Sequence, residues 1–570
     1  MKFCINCGES VLEQARFCRS CGTSLIPNPI TSSQSANNNP PSFKKTFLNS
    51  DRTPKPTDRD ITRTNMKAVL LSPQTADAIS HTIFVVSADF AVEMQSICNS
   101  LGLNCAGILY DSNPSQIIKK CQDKLRNSTA GTIKYVCIIG NWNEVPPAEI
   151  QNTMLDDGDD FCLTDALYGS RQDFDCEDPF SAIPEIPVGR IPVSDREVVC
   201  RVITQSPDFS SRDNAFLFGV TADCWSEATH DIILSFPNLP PGAPHFLEPS
   251  TKDSIPRSAM LCSPVWDEKA LGRTIGGKVQ NPFQIILFNV HGGADDPEWV
   301  GEGKRYQYVR IFSPRTINNY NSALIVSEAC YGGAIGYDEI SIVEHFFLNG
   351  GNSFVGSSTI AYGSPSPPIC AADLIAKHYI KGLYNKLTLG ESLIQAKMVT
   401  ISDDYMALEE GLKTILSFNL FGAPWQTLIR TSSQPPDSFQ IRPPVTSSVL
   451  DRIRGDMSSS SQTNERSSLY DIRESYRRRL PERTRQFMIE KENLLKKIHE
   501  FQDFSKIEKT VKSWGGRLED TSLNFIKAGE KEGYRLFCPS STENNSNRIL
   551  VLLLDNSGRI NKTILSKGSL

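Results

Sequence analysis

Six short apolar runs limit what this chain can fold into: 82–86, 135–140, 216–220, 285–290, 323–326 and 353–356. Each has strand length and is apolar on both faces, as a strand covered from both sides requires. Segments with helical spacing lie between or after them, at 90–101, 342–348 and 371–383. This alternation predicts an α/β fold, a mostly parallel sheet with helices on both faces. The chain has 570 residues, too many for one core, so several domains are expected.

Composition sets the boundaries. Residues 1–25 form a compact cysteine unit. Residues 26–79, with SSQSANNNPPS, read as a flexible linker. The α/β body runs over 80–430, with a first half at 80–210 and a catalytic half at 211–430. A second linker, 431–467, contains MSSSSQTNERSS. Residues 468–570 read as a small α+β accessory module: a charged helical stretch, two short strands and a hairpin turn at Asp555-Asn556-Ser557-Gly558.

A net charge of −6 gives no general drive toward nucleic acid or anionic membrane. No run of about 18 apolar residues suggests a transmembrane helix. The opening MKFCINCGES lacks the apolar stretch of a signal peptide. A cytoplasmic location is expected, away from membranes. Of the 16 cysteines, Cys4, Cys7, Cys18 and Cys21 form two C-x2-C-G turns ten residues apart. That spacing suits a closed tetrahedral zinc site whose metal supplies the folding energy of a unit with almost no core. Four thiolates leave no open position, so the zinc is expected to be structural. The unit is similar to zinc ribbons that serve docking. Its few basic residues, Lys2, Arg16 and Arg19, disfavour a nucleic-acid role. The remaining cysteines, such as Cys98 and Cys137, read as small buried hydrophobes of a reducing compartment.

The most informative segments are QIILFNVHGG, ending at His291-Gly292-Gly293, and ALIVSEACYGG, carrying Cys330. Each is a buried-type strand that stops at a reactive residue followed by glycines. Sites in open parallel sheets form at the carboxyl ends of strands, so His291 and Cys330 can face one cleft. A thiolate attacks a carbonyl carbon, and an imidazole manages the protons. The backbone N–H groups of Gly292 and Cys330 are the expected oxyanion donors. Gly332 and Gly333 are expected to let the chain leave the strand sharply. Taken singly, a strand-end histidine is often part of a turn and a strand-end cysteine is often inert; their order and spacing make the pair specific.

A strand ending in His-Gly followed by one ending in Ala-Cys resembles the caspase-like cysteine peptidases, and within that clan the gingipain family. The resemblance extends over 80–428. It includes Tyr135-Val136-Cys137-Ile138-Ile139-Gly140-Asn141, Thr164-Asp165-Ala166-Leu167-Tyr168-Gly169 and Ile186-Pro187-Val188-Gly189-Arg190-Ile191-Pro192-Val193. It also includes Ser353-Phe354-Val355-Gly356-Ser357-Ser358 and Phe418-Asn419-Leu420-Phe421-Gly422-Ala423-Pro424. Ala423 stands where that family has Asp. The resemblance implies an endopeptidase acting on protein substrates through His291 and Cys330. It also implies that Asp165 lines the pocket for an Arg or Lys before the scissile bond; the plainer role is a turn cap. The acid-rich stretch 156–178 is also a candidate Ca2+ site, although a solvated loop is the simpler reading. Glu149 and Asp156 are candidates for a third group orienting the histidine. Glu328 is read as a substrate contact or a salt bridge at the sheet end. Basic residues in the linkers, Lys44-Lys45, Arg452 and Arg454, are candidate self-processing sites. Flanking modules or a protein partner are expected to regulate the enzyme. The alternatives are a catalytically silent caspase-fold scaffold and a zinc-ribbon nucleic-acid regulator.

Overall fold

The computed structural model describes most of 72–428 and 485–567, with short interruptions. Of the first 71 residues it describes only the strands Lys2–Phe3 and Ser10–Val11. The chain divides into two compact units, 1–66 and 67–570. In the first, Lys2 pairs with Val11 and Phe3 with Ser10 in an antiparallel hairpin. All four predicted zinc ligands lie outside the described residues.

The second unit is built on an eleven-stranded sheet. From one edge its strands run His245–Phe246, Ser258–Cys262, Leu217–Thr221, Ile285–Asn289, Leu324–Ser327 and Ser353–Ser357. They continue with Phe418–Phe421, Val188–Ile191, Tyr135–Ile139, Thr82–Val86 and Gly107–Leu109. The first six are mutually parallel. Ser353–Ser357 then meets Phe418–Phe421 antiparallel, and the remaining strands run parallel to Phe418–Phe421. The sheet is therefore two parallel blocks pointing in opposite directions. The apolar runs are buried on both faces because side chains alternate across a strand. Ile286 and Phe288 join one core cluster, and Ile285 and Leu287 join another.

Local signals set the helix ends. Ser341 and Glu344 form a capping box that starts Ile342–Leu348. Asp195 caps Arg196–Thr204 by accepting from the Val198 N–H at 2.9 Å. The first linker is shorter than expected. Helix Pro73–Ser80 begins at the Ser72 cap and buries Ala78 and Ile79, so 72–79 belong to the folded body.

The C-terminal segment differs most from the sequence expectation. Strands Arg485–Met488, Ser522–Ala528, Lys531–Pro539, Ile549–Asp555 and Ile560–Ser566 form an antiparallel sheet. Its sixth strand, Tyr362–Gly363, comes from the α/β body and pairs with Ile560–Ser566. Leu550 and Leu552 face a core that includes Ile498 of helix Lys491–His499 and Val511 of helix Phe504–Ser513. Val551, Leu553 and Ile564 share a core with Val326, Val355 and Tyr362 of the body. Arg535 crosses the seam to Glu410, with Nε and Nη2 at 2.7 and 2.6 Å from Oε1. The accessory segment is therefore continuous with the catalytic half.

Candidate active site

The histidine strand Ile285–Asn289 and the cysteine strand Leu324–Ser327 are parallel neighbours, with Phe288 opposite Ser327. Three residues beyond each lie His291 and Cys330. The Glu328 N–H donates to the Phe288 carbonyl at 2.8 Å, which holds the two strand ends together. A Cβ on residue 292 would run into the Cys330 carbonyl, so this close approach requires glycine. Both functional side chains are fully buried.

A third residue completes the pair. His291 Nε2 lies 2.8 Å from Glu302 Oε2. Glu302 belongs to strand Trp299–Gly303, which reciprocal backbone bonds between His291 and Val300 hold in place, at 2.9 and 3.0 Å. Trp225 packs its ring 4.5 Å from the imidazole. A buried carboxylate on one ring nitrogen fixes the ring's orientation and stabilises the imidazolium that forms when the thiol is deprotonated. The sequence candidates for this role do not fill it: Glu149 is exposed on strand Ala148–Gln151, and Asp156 lies outside the described residues.

Cys330 Sγ accepts the Ala361 N–H at 3.2 Å. The turn after it passes through Tyr331, which takes the left-handed φ of 53°. Neither Gly332 nor Gly333 has positive φ. Gly333 is instead needed because a Cβ there would meet the Gly356 backbone. The Gly292 N–H donates to Lys567 O at 3.1 Å.

The family model for peptidase family C25 matches residues 91–428. The chain belongs to that family. This C25 peptidase is a cysteine peptidase, and residues 3–25 match the zinc-ribbon domain. Among solved structures it is similar to the Arg-specific cysteine proteinase gingipain R, with 11% identity and a TM-score of 0.42. That match covers 86% of this chain and 91% of the other. A complex of the RgpB pro- and mature domains from Porphyromonas gingivalis gives 11% identity and a TM-score of 0.42, covering 85% and 93%. No curated protein matches.

Two expectations for the C25 peptidase are corrected by its packing. Asp165 does not line a substrate pocket. Both its carboxylate oxygens are taken by buried Arg190, at 2.8 Å to Nε and 2.6 Å to Nη2. The same guanidinium caps the Gly140 and Val145 carbonyls at 2.8 and 2.9 Å. Arg190 stands opposite Phe421, which is opposite Phe354, and so is level with Ile286, five residues before His291. The antiparallel junction points the carboxyl ends of this block's strands away from those of the His291 and Cys330 strands.

At its start, around Asp157 and Asp159, the acidic stretch is neither a solvated loop nor a calcium site. Asp157 and Asp159 both pair with buried Lys413, which supplies the positive charge a cation would bring. Asp159 also accepts from Tyr331 Oη at 2.5 Å and from the Ile360 N–H at 2.9 Å, bracing the turn after Cys330. Among the described residues, the one group with metal-ligating geometry is Cys224, His291 and Glu302, whose ligand atoms lie within 4.8 Å of one another. A thiophilic cation held there would occupy the His291 imidazole.

Proposed function

We propose that this C25 peptidase is an intracellular endopeptidase that cuts protein substrates after lysine or arginine, using Cys330 as nucleophile and His291 as its base and acid. His291 takes the thiol proton as Sγ attacks the scissile carbonyl, and Glu302 holds the resulting imidazolium. The Gly292 N–H stabilises the developing oxyanion. The imidazolium then protonates the leaving amine, and water hydrolyses the thioester. The observation that carries this reading is convergence: the Gly292 N–H is bonded to a backbone carbonyl in the same cleft that holds the Cys330 thiol.

The four N-terminal cysteines would hold zinc as a structural cross-link of the ribbon, taking no part in the chemistry. A reducing cytoplasm fits the eleven described cysteines that are in no disulfide. A regulatory partner that displaces the C-terminal strand would open the cleft. The test compares the Lys567→Ala chain, with and without Cys330→Ala, on fluorogenic peptides bearing Lys, Arg, Asp or Asn before the reporter. Cys330-dependent hydrolysis confined to the basic peptides is expected. Hydrolysis indifferent to Cys330, or none on any peptide, contradicts the reading and favours a silent scaffold.

A further inference from the structure

The segment after strand Ile560–Ser566 enters the cleft as a substrate would. Ser566 pairs with Tyr362 and Leu565 with Gly363, an antiparallel addition to the body's short strand. The Lys567 N–H donates to the Ala361 carbonyl at 2.8 Å, and its carbonyl accepts the Gly292 N–H at 3.1 Å. The neighbouring Ala361 N–H donates to Cys330 Sγ. One residue thus has its N–H on the cleft wall and its carbonyl on the expected oxyanion donor. Strand addition with alternate side chains in pockets is a general mode of peptide recognition.

Its side chain is fully buried. Nζ meets three oxygens: Asn289 Oδ1 at 2.8 Å, Asp373 Oδ1 at 2.9 Å, and Glu328 Oε2. An ammonium has three N–H donors, so each finds one acceptor; a guanidinium carries five donors in a flat fork that needs a different arrangement. The Trp225 ring lies 5.4 Å from Nζ and adds a cation–π contact. Asp373 is aimed at this point because its other oxygen accepts the Ser364 N–H at 2.6 Å. Gly363 forms the wall, where a Cβ would collide with the lysine stem. Burial pushes the Glu328 carboxyl well above its usual range, against the pull of the Lys567 ammonium.

We infer that Glu328, Asp373 and Asn289 form the primary specificity pocket, selective for lysine over arginine, and that the bond after Lys567 is an internal substrate. This rests on the peptidase reading above and names its site. Cys330 Sγ forms a bond to the Lys567 carbonyl carbon, passing its proton to His291. The bond to the Gly568 nitrogen breaks as the imidazolium protonates that nitrogen. Water then cleaves the thioester, leaving a Lys567 carboxylate and a regenerated thiol. The Lys567 side chain holds the product in the pocket, so the trimmed strand blocks the cleft until it is displaced.

The test uses the full chain with an affinity tag appended after Leu570, read by intact mass. Wild type is expected to lose the tag and end at Lys567, whereas Cys330→Ala and Lys567→Ala keep it. Lys567→Arg is expected to be trimmed at least about tenfold more slowly. In the Lys567→Ala background, a lysyl peptide should be cut at least about tenfold better than its arginyl counterpart. Asp373→Asn and Glu328→Ala should each lower that lysyl kcat/KM by a similar factor. Retention of the tag by wild type, or equal cleavage of arginyl and lysyl peptides, overturns the inference while Cys330-dependent hydrolysis persists. Loss of all Cys330-dependent hydrolysis overturns the peptidase reading itself, and the inference with it.

Discussion

Glu302 reaches His291 from a hairpin strand eleven residues downstream, across a backbone bridge that no periodicity announces. His291 and Cys330 were legible because a buried strand running into a reactive residue and then glycine is rare. Their third partner was not, because it depends on how a short hairpin folds back. Replacing Glu302 by Gln keeps the shape and removes the charge that supports the imidazolium. Turnover is expected to fall on the order of 10²-fold with KM little changed, and the basic group in the kcat profile to move to lower pH. Steady-state kinetics across pH checks this. Asp165 was misread for a related reason: sequence gives the residue but not the direction of its strand block. Asp165→Asn leaves the Arg190 charge buried without its anion, which costs about 3–5 kcal/mol. Denaturant unfolding should show that loss, while the ratio of lysyl to arginyl cleavage stays unchanged.

At the scale of elements, the C-terminal strand matters most. The alternating run at 560–566 and its turn were readable, but an edge strand has the same pattern whether its partner is local or from another part of the chain. The pairing with Tyr362–Gly363 seals the site, and burial pushes the Cys330 thiol up to about 12. The folded chain then keeps this proton longer than the unfolded chain, whose thiol titrates near 9. This contribution to stability is present below pH 9 and is lost as pH rises toward 12. Alkylation of Cys330 by iodoacetamide should therefore be slow at pH 8 and accelerate toward pH 12. Ile564→Asp, which puts a carboxylate into the core shared with Val326 and Tyr362, should release the strand. Alkylation at pH 8 should then rise at least about tenfold, as read by peptide mapping. Equal rates in the two chains would mean that the strand does not control access.

For the whole molecule, the alternating pattern predicted the parallel strands and their helices, and the linker composition separated the ribbon from the body. What it could not show was the reversal at Phe418–Phe421, because one antiparallel neighbour in a sheet leaves no trace in hydrophobicity. Residues 67–570 form one compact unit with a core shared across the C-terminal seam. Calorimetry should therefore show the peptidase body and C-terminal sheet unfolding in one transition, which chelation of the ribbon's zinc leaves in place. Two separate transitions from this unit would contradict the shared core. The most direct test of the dyad is covalent. The Lys567→Ala chain, treated with a peptidyl-lysyl chloromethyl ketone, should take up one label per chain, at Cys330, and His291→Ala should abolish it. Labelling spread over other cysteines, or unchanged without His291, would contradict a His291–Cys330 peptidase.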